Sequence, residues 1–342
     1  MGSNINKSNK NNKINWLLIL QGWAMLWVVI GHAYLGKFGE GPKLEVEMCN
    51  IAYSFHMPLF MLVSGWLFYL TRLMPVSTNL GGAKWTYWAI VKDKALRLLL
   101  PGIVFTFVSF AIKVAFPDAV SRQTGFGIKE IVLAFLYPFD NPFREFWFIA
   151  TLFWLFLLTP IWKRVIMKKW TMWLTLLALI ALHFINLNTT VLSIDRVCSH
   201  AIWFYLGIII SKEDYVNSVF NRSHWATLII GIGLYYAGKF TNPFIITIGG
   251  IVFSFGLALI SDRFLPKMFF TFRNYTYQIF LIGILAQLFM KMVFRHIPVP
   301  YIAAYILCIM MGVYVPVLIS KLIEKINWTP LSLCVGLKPI KK

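Results

Sequence analysis

Apolar runs of about 20 residues recur along almost the whole chain, separated by short polar and basic stretches. As a helix, a run of that length crosses a hydrocarbon core about 30 Å thick. Hydrocarbon offers no partner to backbone N–H and C=O groups, so such runs must satisfy their own hydrogen bonds as helices. The expected fold is therefore all-α, a polytopic membrane protein with about ten transmembrane helices. The candidate spans are 16–34, 49–70, 97–116, 145–162, 170–184, 197–211, 225–240, 244–260, 275–294 and 301–323. Only 13% of the residues are charged and 59% are hydrophobic, against about 25% charged in an ordinary soluble domain. Too few residues remain outside the runs for a soluble domain of about 100 or more. The expected organisation is a basic tail (1–15), one membrane domain (16–323) and a second basic tail (324–342).

The net charge is +19, which on a soluble chain would suggest nucleic acid. Here the basic residues sit between apolar runs, where they fix orientation and meet anionic lipid. No nucleic acid is expected. Ten spans put both termini on one side, and most of the 32 Lys and Arg fall in the loops of that same side. The prediction is N-in/C-in, in the plasma membrane (the inner membrane of a bacterium). The first run is too long for a signal peptide and no small-x-small site closes it. The segment 117–144 contains IKEIVLAFLYPF, too short to span, and is expected to be an interfacial or re-entrant helix on the outer side. None of the four cysteines forms a CxxC pair, so no metal site is expected.

Two histidines stand out. Counting at ~1.5 Å per residue, His32 lies near the outer end of the first span. His56 lies about 10 Å inside the outer start of the second by the same rise. Ionisable groups at membrane depth are functional candidates by default, and imidazole suits proton abstraction near neutral pH. Asp140, Arg144, Glu145, Asp195, Arg196 and His200 gather at the same expected level, so a polar site opening outward is expected. Pro58, two residues after His56, has no N–H for the Ser54 carbonyl. Either the helix kinks there or a new helix starts, and either fits a cavity beside His56. Gln21, Met25, Val28 and His32 share one helical face, which suits equally a polar path across the membrane or a core-facing stripe. On the inner side Lys92, Lys94 and Arg97 in VKDKALRLLLP could hold phosphate groups or simply snorkel to the interface.

WAMLWVVIGHAY followed by SFHMPLFMLVSGWLF resembles the opening of the acyltransferase-3 family of integral-membrane O-acyltransferases. ALRLLLP, FREFWFIATLF, AIWFYLGIIIS and YQIFLIGILAQ resemble its later landmarks in the same order. The form is especially similar to compact members that acetylate sugars, such as fucose O-acetylase-like proteins. The resemblance implies acetyl-CoA or another acyl-CoA as a cytoplasmic donor. It also implies an acceptor hydroxyl on a cell-surface glycan or its lipid-linked precursor. The family's first-span and second-span histidines map to His32 and His56, and its third-span arginine maps to Arg97. Gln21 stands where the family usually carries arginine, which leaves a donor contact vacant or moved.

The expected activity is O-acyl transfer, with His32 as general base and His56 stabilising the oxyanion or orienting the acceptor. Glu145 would orient an imidazole, Arg97, Lys94 and Gln21 would face the donor, and Arg144, Asp195, Arg196 and His200 would face the acceptor. No serine or cysteine sits in a nucleophile elbow, which favours direct transfer. The rival reading is a proton-coupled transporter of a sugar-containing substrate, which the absence of repeated halves disfavours.

Overall fold

A computed structural model describes residues 2–36, 41–74, 86–116, 125, 127–185 and 187–338, with side chains described from Asn15 onward except at 217. Residues 37–40, 75–85 and 117–124 lie outside them, the last within the segment 117–144 expected to hold an interfacial helix, as do residues 339–342 of the second tail. All regular structure in the described residues is helical. The α-helices are α1 (Gly2–His32), α2 (Lys43–Phe68), α3 (Tyr87–Lys94), α4 (Leu100–Ala115), α5 (Ile128–Leu136), α6 (Phe146–Leu157) and α7 (Thr159–Val165). They continue with α8 (Lys169–Phe184), α9 (Ile194–Lys212), α10 (His224–Phe240), α11 (Pro243–Phe264), α12 (Thr276–Phe294), α13 (Tyr301–Ile326) and α14 (Thr329–Cys334).

Each of the ten apolar segments falls on a helix or a helix pair. Among the described residues seven helices are long and apolar enough to cross a membrane, and eight if α6 and α7, bent by 53°, form one broken span. The chain is a multi-pass membrane protein. Helices α8 and α10 have 16 and 17 residues, so they reach only about 24–26 Å at ~1.5 Å per residue. The boundaries differ from the sequence reading where polar residues extend a helix. The third span begins at Tyr87 and passes through a π-helical turn, Ala95–Leu99, before α4. Arg97 therefore lies inside the helical stretch rather than at its start. Asp195 and Arg196 occupy the first turn of α9 rather than preceding it.

The chain divides into two compact units, Met1–Val63 with Glu213–Lys321 and Ser64–Lys212 with Leu322–Lys342. In the first, α1 packs on α11 and α12, and α10 lies along α11. Glycines Gly231 and Gly238 on α10, and Gly249 and Gly256 on α11, recur at seven-residue spacing. An added Cβ at each would lie 2.3–2.6 Å from a backbone nitrogen of the other helix. Small residues are how two helices reach this distance where lipid supplies no hydrophobic drive to associate.

In the second unit α6 packs on α9, and α8 on α9. A Cβ on Gly65, in the last turn of α2, would lie 1.9 Å from the Phe204 carbonyl oxygen. The bend between α6 and α7 has a local cause. Pro160 lacks the N–H that the Phe156 carbonyl would receive, and the Thr159 hydroxyl donates to that carbonyl instead. Trp162 Nε1 donates to the Leu155 carbonyl at 2.7 Å.

Helix α2 runs unbroken through Pro58, so no new helix starts there. The carbonyl that Pro58 leaves without a donor is that of Ser54, and the Thr247 hydroxyl of α11 donates to it at 2.7 Å. Pro58 needs no cavity to be tolerated, because a side chain repays the lost bond. Thr247→Val orphans that carbonyl and is expected to cost about 1–3 kcal/mol, read as a lower melting temperature of the purified protein. Adding Pro58→Ala returns a backbone donor, so the double variant is expected to recover most of the loss, a coupling that a double-mutant cycle measures.

Candidate functional site

Three aromatic side chains of the first unit form a row. His32 is the last residue of α1 and half-buried. Tyr53 projects from α2 with its hydroxyl 3.5 Å from His32 Nδ1, at the outer limit of a hydrogen bond. The two rings stand edge to face with centroids 5.9 Å apart. One helical turn further along α2, the His56 ring lies nearly perpendicular to Tyr53 at 5.0 Å. Tyr53 is 42% exposed, whereas His56 is buried at 1%. Gly31 lets α1 and α2 approach beside the row, where an added Cβ would lie 3.2 Å from Ala52 and 3.3 Å from Tyr53.

The local backbone decides the tautomer of His56. Its Nδ1 lies 2.5 Å from the Ala52 carbonyl oxygen. A carbonyl can only accept, so Nδ1 carries the proton and Nε2 of the neutral ring is the basic nitrogen. The buried ring is thereby fixed in one orientation beneath Tyr53. On α1, Met25 and Val28 of the Gln21–His32 stripe are buried and Gln21 is half-buried. The middle of that face is packed and apolar.

The second unit carries two polar clusters along α6. At the α6 C-terminal end, Lys94 sits over the Phe156 ring at 4.1 Å. Asp93 holds two arginines, Arg72 at 2.6 Å and Arg97 at 2.9 Å. The Arg97 side chain stays 44% exposed, so its guanidinium can take a further partner. At the α6 N-terminal end, Arg196 stacks on Phe139 at 5.0 Å and on Trp147 at 5.5 Å. Arg144 lies 5.8 Å from the same Phe139 ring. Asp195 pairs with Arg196 at 3.2 Å, and the His200 ring lies 5.5 Å from Trp147. Glu145 immediately precedes α6. Trp147 and Phe156 are nine positions apart, so the clusters are separated by about 13 Å of helix at ~1.5 Å per residue.

A cavity of about 420 Å³ opens near the N-terminal cluster, lined by Glu130, Tyr137, Asp140 and Thr190 together with apolar side chains. Buried Asn141 braces its wall. Its Oδ1 accepts from the Phe143 N–H and the Thr106 hydroxyl, and its Nδ2 donates to the Ala134 carbonyl. Among the described residues no group of three or more His, Cys, Asp or Glu could hold a metal ion.

A family model described as an acyltransferase domain matches residues 14–321. The chain belongs to the acyltransferase-3 family. Neither a curated protein nor a solved structure matches it. The family assignment makes this chain a membrane acyltransferase, and it places the histidine row and both clusters inside the matched domain.

Within this acyltransferase, His32 and His56 come together through Tyr53, and Arg144, Arg196 and His200 come together through Phe139 and Trp147. Arg97 and Lys94 lie on successive turns. Sequence reasoning passed over three residues here. Tyr53 was legible in principle, since it lies three positions before His56 on one helical face. Asp93 sits four positions before Arg97, the spacing of a helical ion pair. Asn141 could have been read as a turn former through its bond from the Phe143 N–H two residues on, but its Thr106 partner lies 35 positions away.

Replacing Tyr53 by Phe keeps the ring packing and removes the hydroxyl facing His32. Turnover is expected to fall about 3- to 10-fold, equivalent to roughly 0.7–1.4 kcal/mol, the range of one neutral hydrogen bond. Tyr53→Ala, which also loosens His56, is expected to lose more, and comparing the two by kcat at saturating donor separates the contributions.

Proposed function

We propose that this acyltransferase moves an acyl group, in our reading acetyl, from cytoplasmic acyl-CoA to a hydroxyl of a cell-surface glycan or its lipid-linked precursor. The observation that carries the reading is the row His32–Tyr53–His56 inside an acyltransferase domain. Half-buried His32 is the proposed general base. It takes the acceptor hydroxyl proton, the oxygen attacks the thioester carbonyl carbon, and the tetrahedral intermediate collapses with loss of CoA thiolate. The imidazolium then returns its proton to that thiolate. Proton transfer by a positioned side chain contributes about 10²–10⁴-fold. His56 is assigned to holding Tyr53, and through it His32, in line, with oxyanion stabilisation as its alternative role.

Arg97 and Lys94 are the proposed contacts for donor phosphates, supported by the exposed Arg97 guanidinium and its bracing by Asp93. Gln21 replaces the arginine usual in the family, and Arg72 is the proposed source of the displaced charge, through the same Asp93. Arg144, Asp195, Arg196, His200 and the cavity beside Asp140 are assigned to the acceptor, whose hydroxyls suit carboxylate acceptors and aromatic faces. Glu145 is assigned to orienting one of these groups. The proposed topology has ten crossings with both termini cytoplasmic and α5 lying in the interface.

His32→Ala is expected to lower transfer from labelled acetyl-CoA by at least 100-fold with normal folding. Full activity in that variant would overturn the base assignment. Arg97→Ala is expected to raise the acyl-CoA KM about tenfold, about 1.4 kcal/mol, with a smaller change in kcat. Mass spectrometry of surface glycans with and without the active gene is expected to show the mass of one acyl group. Movement of unmodified glycan without acyl transfer would overturn the reading in favour of a transporter.

A further inference from the structure

An α-helix leaves its last four carbonyls without intrahelical donors. In α1 these belong to Val29, Ile30, Gly31 and His32, the turn that presents the His32 imidazole. Ile30 keeps a bond from the Ala33 N–H at 3.1 Å, and each of the four is reached by a side chain from another helix. Gln287 Nε2 donates to Val29 at 2.9 Å, and the Tyr305 hydroxyl reaches Ile30 at 3.4 Å. The Cys49 thiol lies 3.7 Å from the Gly31 oxygen, and Lys291 Nζ donates to the His32 oxygen at 2.9 Å. Just beyond, the Leu35 N–H donates to Glu45 Oε1 at 2.8 Å. Ala33 is fully buried against Tyr305 and Cys308.

Three of the four carbonyl donors are neutral, and the one on His32 is an ammonium. A charge-assisted hydrogen bond is roughly twice as strong as a neutral one, and a cation at a helix C-terminus gains further from the macrodipole. The same ammonium lies 4.2 Å above the Tyr34 ring, a cation–π contact two residues past His32. Lys291 therefore grips the chain at the carbonyl of His32 itself and again two residues beyond it. A lysine within a membrane-spanning helix is costly unless well partnered, and Lys291 meets the His32 carbonyl and the Tyr34 ring and also interacts electrostatically with Glu45.

We propose that Lys291 is a positioning residue for His32, fixing the last turn of α1 so that the imidazole is held in its reactive place. This rests on the assignment of His32 as the base, and it concerns a residue that the sequence reading left without a role. A base displaced by 1 Å can lose about 10²-fold, so the clamp acts on turnover rather than on donor binding.

The test uses the full-length protein purified in lipid nanodiscs, with Lys291→Met, which keeps length and loses charge, and Lys291→Arg, which restores a charged donor. With labelled acetyl-CoA and cell-surface glycan, Lys291→Met is expected to lower kcat at least tenfold with the acetyl-CoA KM within twofold. Lys291→Arg is expected to recover to within threefold of wild type. Independently of activity, the carbethoxylation rate of His32 by diethylpyrocarbonate, read by peptide mass spectrometry, is expected to rise at least threefold in Lys291→Met and return in Lys291→Arg. Should Lys291→Met fail to fold, Lys291→Gln carries the same measurements. Unchanged His32 labelling in the uncharged variant overturns the proposal whatever the activity, and so does an arginine variant as impaired as the methionine one. Altered labelling with unaltered turnover retains the clamp and removes His32 from the chemistry.

Discussion

Within a bilayer, a backbone carbonyl without a donor has no water to turn to, and the local design of this protein follows from that at three places. Pro58 frees the Ser54 carbonyl, and Thr247 supplies the donor. Pro160 frees the Phe156 carbonyl, and Thr159 supplies the donor while the chain bends. The last turn of α1 ends four carbonyls, of which Ile30 keeps the Ala33 N–H, and four side chains from α2, α12 and α13 reach them. The Thr159 repair is local, three residues along the chain, whereas those at Ser54 and at the end of α1 come from side chains that packing places. The same bonds that satisfy the backbone therefore fix the turn that bears His32 and the helix that bears His56.

The charged groups obey a related rule. An isolated charge is expensive at membrane depth, and those described here are shared or stacked. Asp93 serves Arg72 and Arg97 together. Arg196 lies between the Phe139 and Trp147 rings while pairing with Asp195, and Lys94 rests on Phe156. Such arrangements keep cations in place without neutralising them completely, which leaves the Arg97 side chain partly exposed. Helix α6 links the two clusters mechanically, since it contributes an aromatic anchor near each end.

Much of this was legible along the chain. Apolar run length located every long helix, because the hydrocarbon thickness sets a length that composition alone reveals. The marking of His32 and His56 as a pair followed from their depth on adjacent spans, and the acyltransferase family followed from the motifs around them. Span ends were less legible, because helices continue through polar residues until a cap or a proline stops them, as at Lys43 and Tyr87. Short segments such as α8 and α10 have the composition of spans but not their full length.

What the amino-acid order determined by itself is the class of the protein: all helical, membrane-embedded, with two imidazoles on its first two spans. Composition and periodicity suffice for that, since they act through the solvent the chain must enter. Only the tertiary structure decided that Tyr53 stands between those imidazoles and that Lys291 closes on the His32 carbonyl from α12. The Lys291 contact joins residues 259 positions apart. The physical reason is that a hydrogen bond is a relation of distance and angle between atoms, and such distances arise only when helices pack.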